Sequence, residues 1–350
     1  MAKVEKKLQN YLILNRYLCS LFGFTDIEDF RKELKNKSEG TNQQKKLFFT
    51  EALQNLKISE EFRQKLNQYD ENIQEYLLHI NQKRDPPVVL KYFQYVAILF
   101  TEIYLDNYYK NFDVFYSEFI KYVLDLNIKE RRTEKETYVF PNKKSMNKLA
   151  YWSATGSGKT LIMHINILQF KNYADNKFDN FLLVTPNEGL TSQHMAELTL
   201  SSIEHKRFEM QRTLVDWTLE DPIKIVEITK IKKEVASMDG KTIPVEAFGK
   251  KNIVFVDEGH KGQSTEAKSW ITNRKELVEN GGFTFEYSAT FGEITDKDET
   301  FNEYSSCVIF DYRYKYFYED GFGKDYSILN LKDNEKYGDE YFTGAMLSLY

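Results

Sequence analysis

One stretch limits what this chain can become more than any other: Tyr151 to Leu161, reading YWSATGSGKTL. The apolar run Leu149 to Trp152 predicts a strand. Thr155, Gly156, Ser157 and Gly158 then supply a turn, and Lys159 and Thr160 follow directly. Behind them Leu161, Ile162, Ile165 and Leu168 recur at helical spacing. Strand, glycine turn and helix in that order is what a phosphate-binding loop requires. The glycines let backbone N–H groups turn inward on an anion. The new helix aims the positive end of its dipole at the same spot. Lys159 is placed to reach the outer phosphates, and the Thr160 hydroxyl to ligate magnesium. The full pattern is G-x-x-x-x-G-K-[ST], and Ser153 stands where its first glycine would be.

Downstream, strands and longer connections alternate. Phe181 to Val184 is an apolar run ending in Thr185-Pro186, and residues 189–204 read as a helix. Further strands are expected at Ile223 to Ile228, at Ile253 to Val256 and at Phe283 to Tyr287. The pattern predicts an α/β fold with a parallel sheet covered on both faces. Ligands gather at the carboxyl ends of such strands. The glycine loop, Thr185-Pro186, Asp257-Glu258 and Ser288-Ala289-Thr290 all fall at those ends. Asp257, directly after an apolar strand, suits a magnesium-holding carboxylate. Glu258 beside it suits a group that orients or deprotonates an attacking water. A solvated acidic turn is the plainer reading of that pair, and the Gly-Lys-Thr upstream argues against it.

Taken together, Ala154 to Thr160, Asp257-Glu258-Gly259-His260 and Ser288-Ala289-Thr290 resemble motifs I, II and III of a superfamily-two helicase of the DExH type. Leu183 to Pro186 resembles motif Ia. With Tyr287 to Phe291 reading YSATF, the set is most similar to the helicase subunit of type III restriction enzymes. The resemblance covers about residues 145–295. It implies a RecA-like P-loop motor domain that binds ATP and magnesium, with Thr155 to Thr160 around the nucleotide. It implies that Thr185 and Pro186 contact the nucleic-acid backbone. It further implies that Ser288 and Thr290 couple the ATP state to domain movement, and that His260 communicates with motif III or a second motor domain. No base-reading glutamine motif stands just ahead of the loop. The family's Q-x-x-G-R-x-x-R motif VI, source of its arginine finger, does not occur after Thr290.

The first part of the chain reads as all-helical. Periodic apolar residues run through 6–22, then Ile27, Phe30 and Leu34 behind a capping box opened by Thr25. A longer helix starts at Ser59 and carries Phe62, Leu66, Tyr69, Ile73, Tyr76 and Ile80 on one face. Two aromatic-rich patterns, Val88 to Tyr109 and Val114 to Leu126, follow Pro86-Pro87. Packing between helices explains those rings better than base stacking, which needs exposed rings beside basic residues. The expected organisation is therefore a helical accessory domain over 1–135 and a RecA-like ATP-binding domain over 136–295. Residues 296–350 are expected as a linker and the start of a second domain, the front part of a longer protein.

Bulk properties narrow the function class. A formal net charge of −5 over 350 residues excludes a basic nucleic-acid coat, so any such contact rests on local patches. Two cysteines far apart in sequence give no disulfide framework, and the five histidines show no metal spacing with them. With no signal-like N-terminus and no long apolar run, a cytoplasmic location and no membrane contact are expected. The expected activity is that of an ATP-dependent helicase or translocase moving on DNA, in a restriction or antiviral defence system. A methyltransferase or nuclease subunit is a candidate partner, and slow hydrolysis is expected from this stretch on its own. The other reading is an ATP-binding scaffold or switch that assembles with partners without translocating.

Overall fold

The structure, a computed structural model, describes residues 6–133, 136–174, 177–208, 222–232, 242–258, 265–295, 297 and 300–323. Its centre is a parallel sheet. The strands in chain order are β1 (Lys148–Ser153), β2 (Asn180–Thr185), β3 (His205–Arg207) and β4 (Ile223–Glu227). They continue with β5 (Ile231–Lys232), β6 (Ile243–Pro244), β7 (Asn252–Asp257), β8 (Phe283–Ser288) and β9 (Val308–Tyr312). Seven of them form one sheet in the order β3-β4-β2-β7-β8-β1-β9, every neighbouring pair parallel. β5 and β6 pair separately. All the expected strands are present, and two more extend the sheet at its edges.

β9 changes the organisation drawn from sequence. Val308 to Tyr312 was expected to lie beyond the motor domain, yet it pairs with β1, with Tyr151 opposite Phe310 and Ser153 opposite Tyr312. It is buried along its whole length. An apolar run joins the sheet because its backbone donors and acceptors and its side chains are satisfied there together. Residues after 323, including Met346 to Tyr350, lie outside the described residues.

The helices are α1 (Ile13–Ser20), α2 (Ile27–Leu34), α3 (Phe48–Gln54), α4 (Glu60–Ile80), α5 (Tyr92–Lys110), α6 (Phe112–Lys129), α7 (Lys159–Tyr173), α8 (Glu188–Leu200), α9 (Thr265–Leu277), α10 (Phe301–Cys307) and α11 (Tyr314–Glu319). Asp26, not Thr25, caps α2: its carboxylate accepts the Glu28 N–H, while the Thr25 N–H bonds Asp29. Asp26 is the residue in extended conformation just ahead of the helix, which is the geometry a cap needs. Ser59 caps α4 as expected, accepting from the Phe62 N–H.

The helices α1 to α6 and the sheet share one apolar core. It runs from Leu8 through the α5 residues to Tyr151, Phe255, Phe285 and Tyr316. α5 explains why. It is buried on every side from Tyr92 to Asp106, so it has no solvent face and little amphipathic pattern. It packs on α7 and β9 on one side and on α2, α4 and α6 on the other. Each fully buried aromatic or aliphatic side chain of this kind contributes about 1.5–3 kcal/mol. Phe115, Phe119 and Val123 of α6 are core residues. The opposite face of the sheet has a smaller core, with Leu182, Val184, Val254 and Val256 under Val245, Trp270 and Leu277.

Candidate functional site

The loop after β1 adopts the conformation its glycines permit. Gly156 has φ +84° and Gly158 φ +88°, both left-handed, and Gly158 is the residue from which α7 starts. Ser157 is buried and closes the turn: its N–H and its hydroxyl both bond the Ala154 carbonyl, at 3.2 and 2.7 Å. Ala154 is tied to the neighbouring strand, its N–H donating to the Tyr312 carbonyl at 2.9 Å. Thr155 and Gly156 are exposed, and Lys159 and Thr160 are half-buried at the first turn of α7.

Sequence spacing did not point to the two groups that brace this loop. Gln94, in the first turn of α5, donates from Nε2 to the Ser157 carbonyl at 3.0 Å, and its Oε1 accepts the Lys91 N–H. A Cβ at Gly158 would lie 2.4 Å from Gln94 Nε2, so a larger residue there would displace the glutamine. On the outer side, the Phe317 ring of α11 sits 3.6 Å from where a Gly156 Cβ would be. Phe317 belongs to an aromatic group with Tyr312 and Phe322, and Tyr312 in turn stacks on Phe93 with centroids 4.1 Å apart. The helical region ahead of the loop and the segment after β9 thus both press on it.

The acidic pair lies within reach of the loop. β7 and β1 are separated by β8, so their carboxyl ends open on a shared crevice. Lys159 Nζ lies 3.3 Å from Glu258 Oε1 and 3.4 Å from the Ser153 carbonyl oxygen. The other Glu258 oxygen accepts from the Ser288 hydroxyl at 2.8 Å. Ser288 also accepts the Thr290 N–H at 3.0 Å. Glu258 has φ +56°, a left-handed conformation that costs a side-chain-bearing residue on the order of 1 kcal/mol or more. Its N–H is held by the Tyr287 carbonyl at 2.9 Å, so the position is fixed from both backbone and side chain.

Asp257 is the last residue of β7, opposite Tyr287 of β8. Its Oδ2 lies 3.1 Å from Nε2 of His194 on α8. The remaining carboxylate oxygen and the Thr160 hydroxyl are hard oxygen donors of the kind magnesium takes. Among the described residues no group of three or more His, Cys, Asp or Glu could hold a metal. Behind α8, His164 of α7 is buried, with Nδ1 2.8 Å from the Ser201 hydroxyl. Burial first, then the nearby charge of His194, Arg84 and His205, pushes its pKa down to about 3, so it is neutral.

The remaining sequence-selected residues are less central. Thr185 is fully buried and its hydroxyl lies 2.6 Å from that of Thr191. Pro186 is half-buried, and the surface past β2 is formed by Asn187, Glu188 and Gly189. Thr290 is exposed. His260 lies outside the described residues. No helix among the described residues is long and apolar enough to cross a membrane.

Residues 120–293 match the model of a family described as type III restriction enzyme, res subunit. No curated protein matches the chain.

Proposed function

We propose, from the match of residues 120–293 to the type III restriction enzyme res-subunit family, a superfamily-two helicase-like domain, that the chain is the motor half of a helicase or translocase that couples ATP hydrolysis to movement on DNA. Its proposed setting is restriction or antiviral defence, with a methyltransferase or nuclease subunit as partner. The observation that carries the reading is the meeting of three strand ends on one carboxylate. Glu258, just past β7, is held by Lys159 from the loop and helix that follow β1 and by Ser288 from the end of β8.

That geometry suggests how the residues act. Lys159 rests on Glu258, and an entering triphosphate competes for the ammonium with stronger and more numerous oxygens. The loop N–H groups and the start of α7 take the phosphate charge. Thr160 and Asp257 would hold magnesium, which when bound would neutralise charge on the transferring phosphoryl group. Freed from Lys159, Glu258 is available to orient and deprotonate water. Each change at Glu258 reaches Ser288, and through it the Thr290 N–H, which is the proposed coupling route. Thr185 and Pro186 are proposed at the nucleic-acid face, Thr185 by fixing Thr191 beneath the exposed Asn187 to Gly189 turn. His260 is proposed to act with this set.

The test is ATP turnover with and without DNA in the chain and in Lys159→Ala. DNA-stimulated turnover that falls about a hundredfold or more in the variant is expected, as for loss of a phosphate clamp. Turnover unchanged by the substitution removes the reading. Tight nucleotide binding with no response to nucleic acid favours the scaffold instead.

A further inference from the structure

His194 is a buried residue of α8 that neither the phosphate loop nor the acidic pair explains. It is 3% exposed, and its ring meets Asp257 through Nε2 at 3.1 Å. An ionised carboxylate only accepts hydrogen bonds, so Nε2 donates to it, and the ring's other polar atom is Nδ1. That Nδ1 is buried and has no partner. An imidazole in an interior where half its polar capacity goes unused is poorly explained by packing, since a leucine would fill the space without an orphaned atom.

We propose that His194 is the positioning residue for Asp257: it fixes Oδ2 and thereby presents the other oxygen to the divalent ion that accompanies the nucleotide. α8 is itself anchored for the task. Asn187 caps it, Ser201 just past its end accepts from Arg84 and shares a hydrogen bond with His164, and Arg84 also pairs with Glu197. The ring is therefore set by packing on a braced helix, as an outer-shell group to a metal ligand must be. The inference rests on the reading of Asp257 as the magnesium-holding acid.

The test follows the binding of a fluorescent ATP analogue to the full chain as magnesium is titrated, with thermal unfolding as the check on folding. The variants are His194→Leu, His194→Gln and His194→Asn. In His194→Leu the magnesium needed for half-maximal binding rises about tenfold or more, the usual cost of an outer-shell loss. Binding of the analogue without divalent ion stays as in wild type. His194→Gln, whose amide nitrogen reaches as far as Nε2, restores most of the magnesium dependence, and His194→Asn, too short, does not. A folded His194→Leu with the wild-type magnesium midpoint overturns the proposal. If the leucine variant fails to fold, equal midpoints in the glutamine and asparagine variants overturn it. A wild-type chain that binds the analogue with no divalent dependence removes the underlying reading of Asp257 as well.

Discussion

The strand that carries Ser288 has a buried carboxyl packed behind each face, and the two are satisfied in different ways. On one face of β8, Glu286 meets Arg274 of α9, Lys148 of β1 at 3.1 Å and the Tyr304 hydroxyl at 2.6 Å. Glu303 closes the group by pairing with Lys148 at 2.6 Å and with Arg274. This is a quartet of two cations and two anions. On the other face lies Glu102 of α5, fully buried and, among the described residues, paired with no cation. It accepts from the Tyr173 hydroxyl at 2.6 Å, Gln169 Nε2 at 2.8 Å and Asn72 at 3.0 Å. Gln169 is bonded by Asn166, which accepts the Tyr287 hydroxyl at 2.8 Å, so this neutral seam also ends on β8. The carboxyls respond in opposite directions. Burial alone would raise Glu286 and Glu303, but the facing cations outweigh it and hold both below the ordinary range. At Glu102 burial wins over the hydrogen bonds and its pKa is raised. A buried acid can be satisfied by charge balance or by neutral donors, and only the first makes each member depend on the others.

That dependence gives the largest expected effect. Arg274→Met leaves Glu286 and Glu303 sharing Lys148 alone, an uncompensated negative charge in the interior. The cost should be about 3–5 kcal/mol, the range for breaking a buried pair, read as a drop in the midpoint of chemical denaturation. Adding Glu286→Leu to Arg274→Met restores the balance at one cation and one anion and should recover much of the loss. A double variant no more stable than the single one would show that the quartet is a set of independent contacts.

The contrast also separates what was legible in the sequence from what was not. The loop at Thr155 to Thr160, the strand behind it and the acidic pair were readable because each is a local pattern: period, glycine and charge in a short window. β3 was not, since His205 to Arg207 is a polar three-residue edge strand with no alternation to read. β9 reads VIFDY and is plainly apolar, but apolarity does not say which sheet a strand joins. α5 posed the same difficulty. Its sequence shows that it is buried, not that its partners are α7 and β9. In the site, Lys159, Glu258 and Ser288 could be grouped through the motif set. Gln94 and His194 could not, being single residues on helices whose role exists only once those helices are docked. The quartet was invisible for the same reason: Lys148, Arg274, Glu286 and Glu303 come from four separate elements.

Acid titration should set the two faces against each other with a smaller effect. Glu286 and Glu303, held low in the folded protein, contribute stability that is present above the unfolded carboxyl value of about 4.3 and is lost as pH falls through their folded values. His164 acts in the same sense but earlier. Its stabilisation is full above about 6.5 and declines as pH falls toward about 3, because the unfolded chain takes up a proton the buried ring refuses. Glu102 has the reverse sign. Its contribution is full below about 4.3 and is lost as pH rises through its raised folded value. Glu102→Gln should therefore change stability by only about 1 kcal/mol at neutral pH, the scale of one rearranged hydrogen bond. The Tyr173 hydroxyl can turn to accept from the new amide, while Gln169 stays fixed by Ile98 and Asn166. The substitution should also remove a component that declines as pH rises above about 4.3, without touching the acid limb. Denaturation midpoints across that pH range decide it. A loss at Glu102→Gln as large as that of Arg274→Met would mean that Glu102 is ionised and held by charge after all, and the distinction between the two faces of β8 would fall.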